Sequence, residues 1–161
     1  MKNIKTELKW ALIFVAVSLL WMLLEKLSGL HSTHIDKNLY LTNLFSIPAI
    51  LVFVLALKEK KRKDYGGSMS FKQGFFSGAI ITLIVTVLSP LTQWITSTYI
   101  TPEYFPNVIE HSLETCFLAT LEEAEAYFNL SNYMVQSVIG ALVMGLITSA
   151  IVAFFVRTRS K

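Results

Sequence analysis

Residues 126–156 read AYFNLSNYMVQSVIGALVMGLITSAIVAFFV, 31 consecutive positions without Asp, Glu, Lys or Arg, closed by Glu125 and Arg157. An α-helix rises about 1.5 Å per residue, so about 20 residues cross a hydrocarbon core of about 30 Å. This stretch is therefore long enough to span a membrane. Two further runs pass the same test: residues 38–57, 20 positions between Lys37 and Lys58, and residues 73–102, 30 positions between Lys72 and Glu103. The run 10–24 has only 15 positions, which reach about 22 Å. Ile4, Leu8 and Leu27 extend its apolar character, the stems of Lys5, Lys9 and Lys26 can snorkel outward, and Gly29 suits a left-handed helix stop. A signal peptide is the rival reading, with Lys2 and Lys5 before an apolar core. No small-x-small cleavage site follows that core, so a retained anchor is expected.

The fold expected is an all-α integral membrane four-helix bundle, with short amphipathic helices in the outer loop. A single four-transmembrane domain covers residues 1–161, with spans at about 4–27, 38–57, 74–97 and 132–156. Composition agrees: 53% of the 161 residues are hydrophobic and 16% charged, against about a quarter charged in a soluble domain. The one cysteine, Cys116, excludes an internal disulfide and a cysteine-rich zinc site.

Charge orients the spans, because basic residues near span ends stay cytoplasmic while acids count little. Lys2, Lys5 and Lys9, then Lys58, Lys60, Lys61, Arg62, Lys63 and Lys72, then Arg157, Arg159 and Lys161 fall on one side, 12 of the 14 basic residues. The other side holds Lys26, Lys37 and eight of the 11 acids. The formal +3 thus resolves into +9 on one side and −6 on the other. A multi-pass protein with both termini cytoplasmic is expected. A dual-topology small multidrug transporter, which needs a bias near zero, is disfavoured.

Between the third and fourth runs lie six glutamates (Glu103, Glu110, Glu114, Glu122, Glu123, Glu125), His111 and no Lys or Arg. Thr120-Leu121-Glu122-Glu123 reads as a capping box, and Pro106 suits a first helical turn. Val108, Ile109 and Leu113 share one side, with Glu110 and Glu114 outward. Two short amphipathic helices are expected over the outer end of the bundle. Their acidic surface is a cation vestibule or a docking face, or more plainly a solvated face. Asn129-Leu130-Ser131 matches a glycosylation triplet but abuts the membrane and carries no argument.

The third span carries Gly74, Gly78, Thr82, Thr86, Ser89, Gln93 and Thr96 on one helical face, and the fourth carries Tyr133, Ser137, Ala141, Gly145, Ser149 and Ala153 at intervals of four. Small and hydroxylated faces let membrane helices approach and hydrogen-bond. Gly74, Gly78, Ala141, Gly145 and Ser149 are thus expected in a packing seam, and Thr82, Thr86, Ser89, Gln93 and Thr96 form a candidate polar stripe. Neither face contains an ionisable group for a proton-coupled pump. Pro48 and Pro90 each free a carbonyl one turn earlier, at Leu44 and Thr86, and predict kinks. Glu25, beside Lys26, reads as an interfacial acid. His31, His34 and Asp36 form H-x-x-H-x-D, and imidazole with carboxylate suits zinc, but no second motif supports a metal site. No catalytic motif is found, and no enzyme activity or cofactor is expected. The basic run Lys58–Asp64 fixes topology and could bind anionic head groups. The expected partners are the bilayer, anionic lipids at that inner loop, and further subunits of the same or another chain; nucleic acid is not expected.

Lys5-Thr-Glu-Leu-Lys-Trp-Ala-Leu, the Phe71-Lys-Gln-Gly-Phe start of the third span, its Ser89-Pro90 and Glu122-Glu-Ala-Glu-Ala-Tyr-Phe together resemble a bacterial family of small four-span membrane proteins, domain of unknown function 4199. The resemblance covers nearly the whole chain and implies a protein of the bacterial cytoplasmic membrane. It brings no activity, cofactor or functional residue. The leading expectation is a membrane protein acting through helix, protein or lipid contacts; the alternative is a small transporter or channel subunit using the polar face of the third span.

Overall fold

In the computed structural model, residues 4–158 are described, apart from the Leu39 side chain; Lys2, Arg159 and Lys161, counted in the charge balance, lie outside the described residues. Helices run α1 (Lys5–Leu27), α2 (Ile35–Leu41), α3 (Ser46–Asp64), α4 (Phe71–Ile95), α5 (Tyr104–Glu114), α6 (Leu121–Tyr127) and α7 (Leu130–Val156), with no strand among the described residues. A 3-10 turn, Thr42–Phe45, leads into α3, and a π turn, Thr96–Ile100, extends α4. Four stretches are long and apolar enough to cross a membrane: Lys5–Leu27, Thr42–Asp64, Phe71–Ile100 and Leu130–Val156.

The second span differs from the sequence expectation at both ends. Residues 38–41 belong to the short helix α2, and Pro48 falls in the first turn of α3, where its missing amide costs nothing. At the other end the helix runs on through the basic segment to Asp64. The expected inner loop thus shrinks to a link at residues 65–70, which turns on Gly66 (φ +58°) and Gly67 (φ +87°). Ser70 and Gln73 then start α4 with a reciprocal capping box. Pro90 lies inside α4, and the Ser89 hydroxyl donates at 2.9 Å to the Thr86 carbonyl that Pro90 leaves without its amide. Gly29 (φ +78°) ends α1 in the left-handed region.

α4 is the central helix, packing most extensively on α7 and also on α1 and α3. The apolar core (Ala11, Phe53, Leu57, Met69, Ile81, Val152 and neighbours) lies toward the end that carries both termini. There Thr158 straps the chain end to the α3–α4 link: its amide donates to the Met69 carbonyl at 2.8 Å, and the Met69 amide donates to its Oγ1 at 3.0 Å. At the opposite end α5 and α6 pack on each other, and α5 touches α2. The six glutamates of this loop are all exposed. Thr120 accepts from the Glu123 amide as expected, while the Glu123 carboxylate reaches the Ala119 amide instead of that of Thr120.

Candidate functional site: buried charge at both ends of the first helix

Three residues of α1 are buried, and two of them are acids: Glu7, Ala11 and Glu25. The acids stand 18 residues apart, which is five turns at about 3.6 residues per turn, so both project from one face about 27 Å apart along the axis. That face meets the bundle while Leu12, Leu20 and Leu24 point outward. Burying a carboxylate is costly unless it is paired and hydrogen-bonded, and each end of α1 supplies such partners.

At the terminal end Glu7 is 2% exposed and Lys60 3%. The Lys60 ammonium lies 2.8 Å from Glu7 Oε1 and 2.5 Å from Asp64 Oδ2, and Ser77 Oγ of α4 donates to Glu7 at 2.5 Å. One cluster thereby ties α1, α3 and α4. A second pair of bonds runs beside it: Lys9 and the Trp10 indole N–H both donate to Glu59 at 2.8 Å, and Lys63 pairs with its other oxygen. Lys61 donates to the Val156 carbonyl at 2.9 Å, placing a cation on the negative end of α7.

At the other end Glu25, expected as an interfacial acid, is turned into the protein and is 3% exposed. The Trp21 indole donates to it at 2.5 Å, and His31 Nε2 lies 3.0 Å from its second oxygen. His31 Nδ1 is buried without a hydrogen-bond partner, and the ring sits edge-on to Tyr104. Asn107 of α5 donates to the His31 carbonyl at 2.8 Å, while the Tyr104 hydroxyl lies 3.3 Å from that of Tyr133 on α7. Burial pushes the Tyr104 phenol above its ordinary value; the Tyr133 hydroxyl opposes this and the Glu25 charge reinforces it. His31 has thus turned into the bundle, whereas His34 and Asp36 are exposed. Among the described residues no three His, Cys, Asp or Glu side chains converge on one metal position.

Between these ends the stripe of α4 divides in two. In its first half, a Cβ on Gly78 would stand 2.7 Å from Ser149, one on Gly145 would stand 2.5 Å from Thr82, and one on Gly74 would stand 3.1 Å from Ala153. Thr82 and Ser149 are fully buried with their hydroxyls 3.3 Å apart, and Ala141 packs against the core. In its second half the polar groups turn along their own helix. Ser89 bonds the Thr86 carbonyl, Gln93 donates to Ser97 Oγ, and the Thr96 carbonyl accepts from Thr101. The Thr86 hydroxyl is buried without a partner.

The buried acids of α1 escape a reading by charge-free runs, because the run begins after Glu7 and ends before Glu25, so each looks like a boundary. Their five-turn spacing is the signal that the sequence does carry. A family model described as "Protein of unknown function (DUF4199)" matches residues 9–158. No curated protein and no solved structure matches the chain.

Proposed function

The chain belongs to the DUF4199 family of proteins of unknown function, and on that premise we propose that it is a multi-pass protein of the bacterial cytoplasmic membrane that acts by contact, with lipids or with other membrane helices, and catalyses no reaction. The observation that carries this reading is the closeness of α4 to α7. Gly78 faces Ser149 and Gly145 faces Thr82 with no space for a methyl group, so the small and hydroxylated face in the first half of α4 is spent on α7. What remains for the surroundings is apolar: Leu12, Leu20 and Leu24 on α1, and Val135, Ile139, Val143 and Ile147 on α7. In this reading both termini are cytoplasmic, since the basic residues gather at their end of the bundle and the exposed glutamates at the other. Reconstitution into liposomes with ion-flux readout tests it, and flux no greater than in protein-free vesicles is expected.

A second reading, a small transporter or channel subunit, draws on different observations. Glu7 and Glu25 put buried carboxylates at both ends of α1, and the Thr86 hydroxyl lies unpartnered on the stripe between their levels. Specific flux that disappears on Thr86→Leu or Gln93→Leu would replace the contact reading with this one.

A further inference from the structure

Where α3 and α7 end side by side, a cleft of about 540 Å³ opens between them. Val54, Lys58, Lys61 and Arg62 line it from α3, with Phe155 from α7 and Arg157 just past its end. The α3 residues recur at i, i+4, i+7 and i+8, the spacing of one helix face. We propose that this cleft binds the phosphate of an anionic membrane phospholipid, with the acyl chains running past Phe155 and Val54 into the hydrocarbon layer.

Charge is the first argument. The lining contains four cations and no acid. The C-terminal ends of α3 and α7 oppose an anion with about half a negative charge each, which leaves a surplus of about +3. The Lys61 ammonium already covers the Val156 carbonyl, so one of those ends is partly neutralised. Elsewhere on this end Lys9 and Lys63 are engaged with Glu59, and Lys60 with Glu7 and Asp64. Lys58 and Arg62 form no ion pair among the described residues.

Level is the second argument. Lys58 closes the charge-free run of the second span and Arg157 closes that of the fourth, so both stand at the same membrane boundary. Phe155, two residues nearer the membrane than Arg157, is 79% exposed. Cations above an open aromatic face match a phosphate above acyl chains, and basic pockets between spans on the cytoplasmic side are suited to anionic lipid heads. A second copy of this chain is a poorer occupant, because its exposed glutamates lie at the opposite end of the bundle.

The inference rests on the proposal that the chain lies in a bilayer by contact, and a binding measurement separates it from the flux test. The full-length protein in mild detergent is titrated with phosphatidylglycerol, with phosphatidylcholine of the same chains and with inorganic phosphate, and read by native mass spectrometry. Phosphatidylglycerol is expected to be retained over phosphatidylcholine. Lys58→Gln and Arg62→Gln are each expected to weaken it by about fivefold, with Lys63→Gln, whose cation serves Glu59, leaving it unchanged. Equal retention of the two lipids, or equal loss in Lys63→Gln, would overturn the site. Displacement of the lipid by millimolar phosphate would overturn the lipid assignment in favour of a free anion. Flux in liposomes alongside intact lipid selectivity would overturn the contact reading alone.

Discussion

Glu25 is followed by Lys26 and stands two residues before its helix ends, a position that reads as an acid at the water boundary. The polypeptide turns back at Gly29 and lays His31 over it, and that fold-back is a tertiary event with no trace in the hydropathy of the run. Removing the carboxylate leaves the buried His31 and the half-buried Trp21 indole without their acceptor, so Glu25→Ala is expected to lower stability by about 1–3 kcal/mol. Thermal melts in detergent measure this, and an unchanged melt would mean the site is wet. The terminal cluster makes a sharper case because both partners are buried. Breaking a buried ion pair from one side costs about 3–5 kcal/mol; Lys60 keeps Asp64 when Glu7 is lost, so Glu7→Leu should fall at or below the low end. A Glu7→Leu, Lys60→Leu cycle should show a coupling of about 1–3 kcal/mol, the double variant being less damaged than the sum of the singles. Strict additivity would show that the two side chains do not share their energy.

The four long helices are legible in the sequence, since each contains most of a charge-free run, although the first run has 15 positions against 23 in α1. Where their limits shift, local chemistry explains it. Residues 58–64 look like a loop because of their charge, yet lysine and arginine are good helix formers, and Glu59–Lys63 and Lys60–Asp64 pair one turn apart. The α4–α7 seam is legible from spacing alone, while the split of the α4 stripe is not. Around Pro90 the polar groups bond along their own helix. Helix packing therefore tolerates no added volume at Gly78, where the neighbouring Ser149 atoms are short and fixed to backbone. Gly78→Ala is expected to cost about 1–3 kcal/mol by overpacking. Gly140→Ala, with nothing within 4 Å of the added atom, should be neutral or stabilise slightly. Unfolding of the two variants in mixed micelles compares them, and equal behaviour would contradict the close approach.

For the whole molecule, the single thiol Cys116 is exposed in the link between α5 and α6, at the end opposite the termini. A membrane-impermeant maleimide should label it from the outer side once the envelope is permeabilised, and labelling confined to the cytoplasmic side would reverse the proposed orientation. The distribution of charge along the chain makes this end-to-end polarity readable from the residues alone. It does not reveal that some charges point inward, because polarity along the membrane normal says nothing about direction around a helix axis. That direction has a consequence for α1. A mostly apolar rod in an apolar solvent gains little by facing one way over another, and α1 has only Ala11 as a buried apolar residue. Glu7 and Glu25 act like two keys on a shaft. Turning α1 by about half a revolution would strip both acids of their partners and carry them toward lipid, where a charge at mid-membrane costs about 3 kcal/mol and less near the ends. The acids thus fix the rotational setting of the helix together with Trp10, which bonds Glu59, and Phe14, which packs edge-on to Phe53.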